Sequence, residues 1–306
     1  MLLVISEREA YSSESLELVL ESIFESRPSN IYVLIHSNST FESHVTVASF
    51  IDMVGRVYDQ SSKIKAKHNV ETPVTVLIEE EKYDTSLASE LWSSLYYTSN
   101  VVLDTIDKVY TQHINKENIH LTRSDSIKEE KSSKGSKPQV ANPESEFAAI
   151  PVVAVGGTFD HLHDGHKILL SASAFLTEKT LIVGVTGPEL LKKKQYLEYM
   201  QSYNERVKSV ETFLHKIRPS LMPDVYQIND ICGPTAKIEN VDALVVSLES
   251  SKGADYVNNV RSQLGWKELQ VYTIGVVGGS DSDKFENKLS STGYRRLEYL
   301  KDHPEQ

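Results

Sequence analysis

Short, mostly apolar runs alternate with segments of helical periodicity along nearly the whole 306-residue chain, and this alternation restricts the fold more than any other feature. Residues 2–5, 31–35, 74–78 and 101–103 are such runs, of strand length. Between them Leu16, Val19, Leu20, Ile23 and Phe24 recur at helical spacing, as do Val47, Phe50, Ile51 and Val54. Apolar strands alternating with amphipathic helices predict an α/β domain with a largely parallel sheet. A second series of strands is expected at residues 152–155, 181–185, 224–228, 243–246 and 271–276. Within it, Ser202 followed by Glu205 marks the start of a capped helix, and Pro219 lies just past its end. This half predicts a Rossmann-like, doubly wound nucleotide-binding fold.

Residues 122–147, TRSDSIKEEKSSKGSKPQVANPESEF, are rich in Ser, Lys, Glu and Pro and almost free of large apolar side chains. Such a stretch cannot bury enough surface to offset its ordering entropy, so a disordered linker is expected between domains at 1–121 and 148–306. Glycine divides the halves sharply. Only Gly55 and Gly135 precede Gly156, and the rest of the fourteen follow it. Glycine lets a backbone approach a phosphate closely, which places phosphate chemistry in the second domain.

The formal charge of −11 argues against a phosphate-backbone binder and predicts no nucleic-acid partner. A single cysteine, Cys232, excludes an internal disulfide framework and points to a reducing compartment, the cytoplasm first and the nucleus also. The apolar run at residues 2–5 is far too short for a membrane span, so a soluble protein without a membrane partner is expected.

The stretch GGTFDHLHDGH, residues 156–166, follows the first strand of the second series and opens a helix near Gly165. At the carboxyl end of a parallel strand, a helix N-terminus offers free N–H groups to phosphates, and Gly156, Gly157 and Thr158 are placed for that contact. His163 and His166 bracket Gly165, which carries no side chain to hold a triphosphate away. Imidazoles there can donate to charge growing on a reacting phosphate. Asp160 is placed to hold the turn or orient an imidazole. As a metal cluster, His161, His163 and His166 would crowd three ligands into one tight turn, and no protein-built metal site is expected. A second helix start lies at LSSTGYR, residues 289–295. Ser290, Ser291 and Thr292 can cap it and face a phosphate, Arg295 offers a planar cationic fork, and Tyr294, Leu297 and Leu300 are expected to bury the opposite face. Lys192, Lys193 and Lys194 follow the second strand of this domain.

GGTFDHLHDGH resembles the first signature of the HxGH nucleotidyltransferase superfamily, and LSSTGYR is similar to its SSTxxR element. With LLKKK, SYNERV, DICGP and VVSLESSKGADYVNNVR, the chain most closely resembles the phosphopantetheine adenylyltransferases of eukaryotes and archaea, over roughly residues 150–302. The resemblance implies transfer of adenylate from ATP to 4'-phosphopantetheine, giving dephospho-coenzyme A and pyrophosphate without a covalent intermediate. His163, His166, Lys192 and Arg295 would be catalytic. Gly156, Gly157, Thr158, Phe159, Asp160, Gly165, Ser290, Ser291 and Thr292 would hold the nucleotide. Thr158, Lys192 and Lys194 would meet the acceptor phosphate, and Mg2+ would arrive with ATP. Cytidylyltransferases show RTEGIST where this chain has NKLSST, and no P-loop GxxxxGK[ST] string provides a kinase. The first domain has none of these signatures. It is a decayed copy of the catalytic fold, a module for docking other enzymes of coenzyme A synthesis, or an unrelated domain.

Overall fold

The computed structural model describes residues 1–36, 46–80, 83–98, 100–106, 108–122, 149–275 and 290–304. They fall into two compact units, Met1–Ala148 and Ala149–Gln306, each built on its own five-stranded sheet. The segment expected as a linker lies outside the described residues except for Thr122. That residue is 5% exposed and its N–H donates to Tyr97 O at 2.8 Å, so it closes the first unit. No helix of the described residues is long and apolar enough to cross a membrane.

The first unit runs β1 (Leu2–Ser6), α1 (Glu7–Tyr11), α2 (Ser13–Glu25), β2 (Ile31–His36), α3 (Val47–His68), β3 (Val74–Leu77), α4 (Thr85–Leu91), β4 (Leu95–Tyr97), α5 (Asn100–Thr105) and β5 (Ile119–Leu121). Its strands are all parallel, in the order β3-β2-β1-β4-β5. Ser12 and Thr46 cap α2 and α3 by accepting from the N–H groups of Ser15 and Ser49. Leu16, Val19, Leu20, Ile23 and Phe24 of α2 are all buried, as the periodicity requires. On the other side Trp92 packs among Tyr32, Tyr83 and Tyr110, and its indole N–H donates to Tyr110 O at 3.1 Å.

The strand expected at residues 101–103 is instead part of helix α5. The fourth strand lies earlier, where Leu95 pairs with Leu2 and Tyr97 with Val4. A three-residue apolar run carries no period, so Val101–Leu103 could not tell strand from helix, and the aromatic pair Tyr96–Tyr97 was the better strand signal. At the end of β2, buried His36 places Nδ1 2.6 Å from Glu79 Oε1 and Nε2 2.7 Å from Thr105 Oγ1. It thereby ties the ends of β2 and β3 to α5.

The second unit runs β6 (Ile150–Gly157), α6 (Asp164–Leu176), β7 (Thr177–Thr186), α7 (Tyr203–Ile217), β8 (Pro223–Ile228), β9 (Ala243–Ser247), α8 (Ser251–Gln263), β10 (Gln270–Ile274) and α9 (Ser291–Asp302). All five strands are parallel, in the order β10-β9-β6-β7-β8. Numbered from the first strand of each unit, both sheets read 3-2-1-4-5. The chain order reverses beside the first strand, between β1 and β4 in one unit and between β6 and β9 in the other. α7 begins with the reciprocal box read from the sequence, Ser202 Oγ accepting from Glu205 N and Glu205 Oε2 accepting from Ser202 N.

Because each sheet closes its own core, we expect a fragment of residues 144–306 to fold without the first unit and to melt in one cooperative transition by circular dichroism. Absence of that transition would mean that the first unit completes the second core.

Candidate active site

The turn after β6 is a strained backbone held from several sides. Phe159 and His161 lie in the left-handed region at φ 51° and 46°, each costing about 1–3 kcal/mol for a residue other than glycine. Phe159 is fully buried, with its ring lying under Gly157, where an added Cβ would stand 3.0 Å from the ring. Expected on the nucleotide, Phe159 has no surface to offer it and supports the turn from below. Asp160 is equally buried, and its Oδ1 accepts from Gln201 N at 3.0 Å while Oδ2 accepts from Arg295 Nη1 at 2.5 Å. Gln201 Oε1 in turn accepts from His161 N at 2.7 Å.

Arg206, from the first turn of α7, reaches across the same edge. It is 2% exposed and donates to Thr158 O at 2.7 Å, Thr186 O at 2.9 Å and Gln201 O at 3.2 Å. One guanidinium thus fixes the ends of β6 and β7 together. Sequence reading passed over it, although an arginine directly after a capping-box glutamate, within an apolar helix face, was the available signal.

His163 occupies the N-cap position of α6, and His166 lies in the first turn of that helix. Their rings stack at 3.9 Å between centroids, 23° from parallel. Gly165 makes room, since a Cβ there would stand 3.2 Å from His163 Cε1 and Nδ1. Burial pushes the His163 imidazole down to about 4, against weaker opposing pull from the Asp164 carboxylate. Burial also holds His166 well below its ordinary value, aided by neighbouring His163 and Lys194. Both imidazoles are therefore neutral near pH 7, and His166 Nδ1 is buried with no hydrogen-bond partner among the described residues.

A cavity of about 390 Å³ opens where the strand order reverses, and it shares the turn residues Gly156, Gly157 and Thr158 with the approach to α6, although neither histidine lines it. Gly156, Gly157, Thr158 and Thr186 form its polar rim, and Ala154, Ile182, Leu244 and Val246 floor it on one sheet face beneath α8. Gly184 belongs to the same wall, where a Cβ would meet Ile228 Cγ2 at 2.9 Å. Cys232 also lines the cavity, its thiol pushed up by burial and so protonated near neutral pH. Ile231, Cys232 and Pro234 on this side belong to the DICGP stretch, which the sequence marked by resemblance without assigning it to a pocket, whereas Ile228 at the end of β8 lies in no motif.

The three lysines differ in placement. Lys192 is paired with Glu189, three residues earlier, with its side chain 67% exposed. Lys193 is exposed, and Lys194 is near enough to act on His166. On α9, Ser290 Oγ accepts from Gly293 N at 3.2 Å, Ser291 Oγ donates to Asp160 O at 2.9 Å, and Thr292 Oγ1 accepts from Arg295 Nη2 at 3.0 Å. The inward face of this helix is Ser291, Tyr294 and Arg295. Leu297 and Leu300, expected to be buried, are 44% and 38% exposed, since the helix packs by hydrogen bonds and aromatic rings rather than by an aliphatic stripe. Among the described residues no group of three or more His, Cys, Asp or Glu could hold a metal ion.

The first unit differs at the equivalent strand end. There Ser6 N and Ser6 Oγ both donate to Glu9 Oε2 at 2.8 Å, and Thr98 Oγ1 donates to the same oxygen at 2.5 Å. Here the groups at the end of the first strand are engaged by a carboxylate of the chain, whereas β6 ends in two glycines.

Residues 154–297 match the family described as cytidylyltransferase-like. A phosphopantetheine adenylyltransferase of Saccharomyces cerevisiae is 46% identical over 146 residues, covering 48% of this chain and 48% of that protein. An uncharacterized protein of Schizosaccharomyces pombe is 42% identical over 148 residues, 47% of each chain. The phosphopantetheine adenylyltransferase of Pyrococcus abyssi is 36% identical over 141 residues, 46% of this chain and 88% of that protein. The matched region thus spans about half the length of the fungal relatives and most of the archaeal one.

The neutral histidines generate a pH prediction. An imidazole depressed in the folded state takes up its proton more readily when unfolded, so its contribution to stability is present above the unfolded value and lost as pH falls toward the folded one. For His163 that window runs from about 6.5 down to about 4. The melting temperature of the 144–306 fragment should fall through this range, and His163→Gln should flatten the fall. An unchanged slope in the variant would place the titration elsewhere.

Proposed function

The chain belongs, through its second unit, to the cytidylyltransferase-like nucleotidyltransferases, in the phosphopantetheine adenylyltransferase branch, and from that premise we propose that it transfers adenylate from ATP to 4'-phosphopantetheine. The acceptor phosphate oxygen attacks the α-phosphorus of ATP in line. The bond from that phosphorus to the bridging oxygen of the β-phosphate breaks, and dephospho-coenzyme A and pyrophosphate result. No residue of the chain becomes covalently modified.

One observation carries this reading: two stacked, neutral imidazoles at the N-terminus of α6, one with an unused ring nitrogen, stand beside a glycine turn at the carboxyl edge of a parallel sheet. Free N–H groups of the helix start, together with Gly156 and Gly157, would receive the nucleotide phosphates. Neutral His163 and His166 each have an N–H to donate to the α-phosphate and the departing pyrophosphate, where charge grows during the transfer. Thr158 and Lys194 would meet the acceptor phosphate. Lys192 would join them by leaving Glu189, with which it makes an exposed and therefore weak pair. The apolar floor formed by Ala154, Ile182, Leu244 and Val246 would take an uncharged portion of a substrate. Mg2+ would enter bound to ATP and neutralise triphosphate oxygens. The chain's own contribution is orientation and hydrogen-bond donation.

Incubating the full chain with ATP, Mg2+ and 4'-phosphopantetheine should yield dephospho-coenzyme A, whereas CTP with phosphocholine should give no transfer above background. Faster turnover in the second mixture would overturn the assignment. His166→Ala should lower turnover by roughly 100- to 1,000-fold, the scale for removing one preorganised donor, with a smaller change in ATP affinity. Near-normal turnover in that variant would remove the imidazole from the mechanism.

A further inference from the structure

Arg295 has the residue type of a phosphate ligand, but its partners in the fold are of another kind. It is 1% exposed and all three of its nitrogens are engaged by the protein. Nε donates to Gln195 O at 2.9 Å, Nη1 to Asp160 Oδ2 at 2.5 Å and Nη2 to Thr292 Oγ1 at 3.0 Å. Asp160 is fully buried, and each of its oxygens is used: Oδ2 by Arg295, Oδ1 by Gln201 N, and the backbone carbonyl by Ser291 Oγ. A buried ion pair is tolerated when hydrogen bonds satisfy both charges on every side, and removal of one partner alone leaves an uncompensated charge.

The pair joins three segments. Asp160 belongs to the turn that leads into the histidines, Gln195 directly follows the lysines, and Arg295 and Ser291 belong to α9. Further ties extend the seam: His161 stacks on Tyr294 at 5.8 Å with rings 5° from parallel, its Nε2 lies 3.1 Å from Tyr199 O, and Tyr199 Oη donates to Asp302 Oδ2 at 3.0 Å. A group held on three sides in this manner is suited to fixing geometry, and to serve as a phosphate fork it would have to abandon a buried carboxylate.

We propose that Asp160 and Arg295 are positioning residues, a buried latch that seats α9 and the lysine loop against the glycine turn, so that Arg295 shapes the site without touching phosphate. The proposal rests on the adenylyl-transfer reading for its consequence in catalysis, but the latch itself can be measured without substrate. The glycine turn, the lysine loop and α9 then act as one assembly, and loosening either end of the pair disturbs both substrates together.

The experiment compares the full chain with Arg295→Met, Asp160→Asn and the double variant, using hydrogen exchange across residues 290–304 without ligand and steady-state kinetics with each substrate varied. Exchange in α9 should quicken by about tenfold or more in each single variant. The kcat should fall about 10- to 100-fold, the scale of a small misplacement of reacting groups, with KM for ATP and for phosphopantetheine rising together. The double variant should be no worse than the worse single one, because both act through one contact. If a single variant fails to fold, the double variant, which removes both charges, and Ser291→Ala, which removes one tie to Asp160, carry the exchange measurement. Unaltered α9 exchange in those two variants would overturn the latch, as would a rise in KM for ATP alone in Arg295→Met with α9 still protected. If the unaltered chain forms no dephospho-coenzyme A, the functional reading fails while the exchange result still decides the latch.

Discussion

A parallel sheet points every carboxyl end the same way, and the location of the candidate site follows from that constraint. Each connection must return over the sheet, so the turns and helix N-termini that follow the strands gather at one edge. Where the chain order reverses beside the first strand, neighbouring connections leave in opposite directions and a crevice remains. In the second unit this lies between β6 and β9. Gly156 on β6 stands in register with Gly184 on β7, so two adjacent positions carry no side chain at the mouth of that crevice. The turn beside it is supported by Phe159, whose ring lies under Gly157, and by Arg206, which holds the carbonyls of Thr158 and Thr186, both side chains being buried.

The same constraint operates in the first unit with a different outcome. Its sheet has the same strand order and its first strand is also central, but it ends in Ser6 and leads directly into helix α1. Glu9 folds back and gathers two hydroxyls and an N–H. A carboxylate held by three donors satisfies the groups that could otherwise turn toward an external anion. The two sheets thus share a strand order and differ in how the end of the first strand is treated, by glycines in one unit and by a carboxylate of the chain in the other.

Much of this architecture was legible because buried parallel strands and amphipathic helices leave strong periodic traces. The runs at 152–155 and 181–185 and the Ser202–Glu205 box became β6, β7 and the start of α7. The misread segments were those in which the decisive contact lies far away in sequence. Val101–Leu103 is too short to show a period, and it became helix once Leu95–Tyr97 had paired with β1. Leu297 and Leu300 have helical spacing, but the helix uses its hydroxyls and Arg295 to bind a turn 135 residues away. The lysine triplet shows that a motif can locate a loop without ranking its side chains: Lys192 is paired with Glu189, while Lys194 lies within electrostatic reach of His166.

The electrostatics of the resting site bear on how a chain of formal charge −11 could receive polyanions. Two imidazoles that would supply positive charge if protonated are neutral because burial removes them from water. The attraction available to phosphate is therefore local: the N–H groups at the start of α6, the lysines past β7, and the donors of the rings themselves. Neutral donors in a preorganised site need not be stripped of water as a charged pair must be, and they add no net charge that an empty site would have to stabilise. A phosphate arriving beside His163 and His166 would act on them in the sense opposite to burial, favouring the protonated ring. The close stacking of the rings, 3.9 Å between centroids, opposes protonation of both together, so neutral N–H donation remains the role the geometry favours.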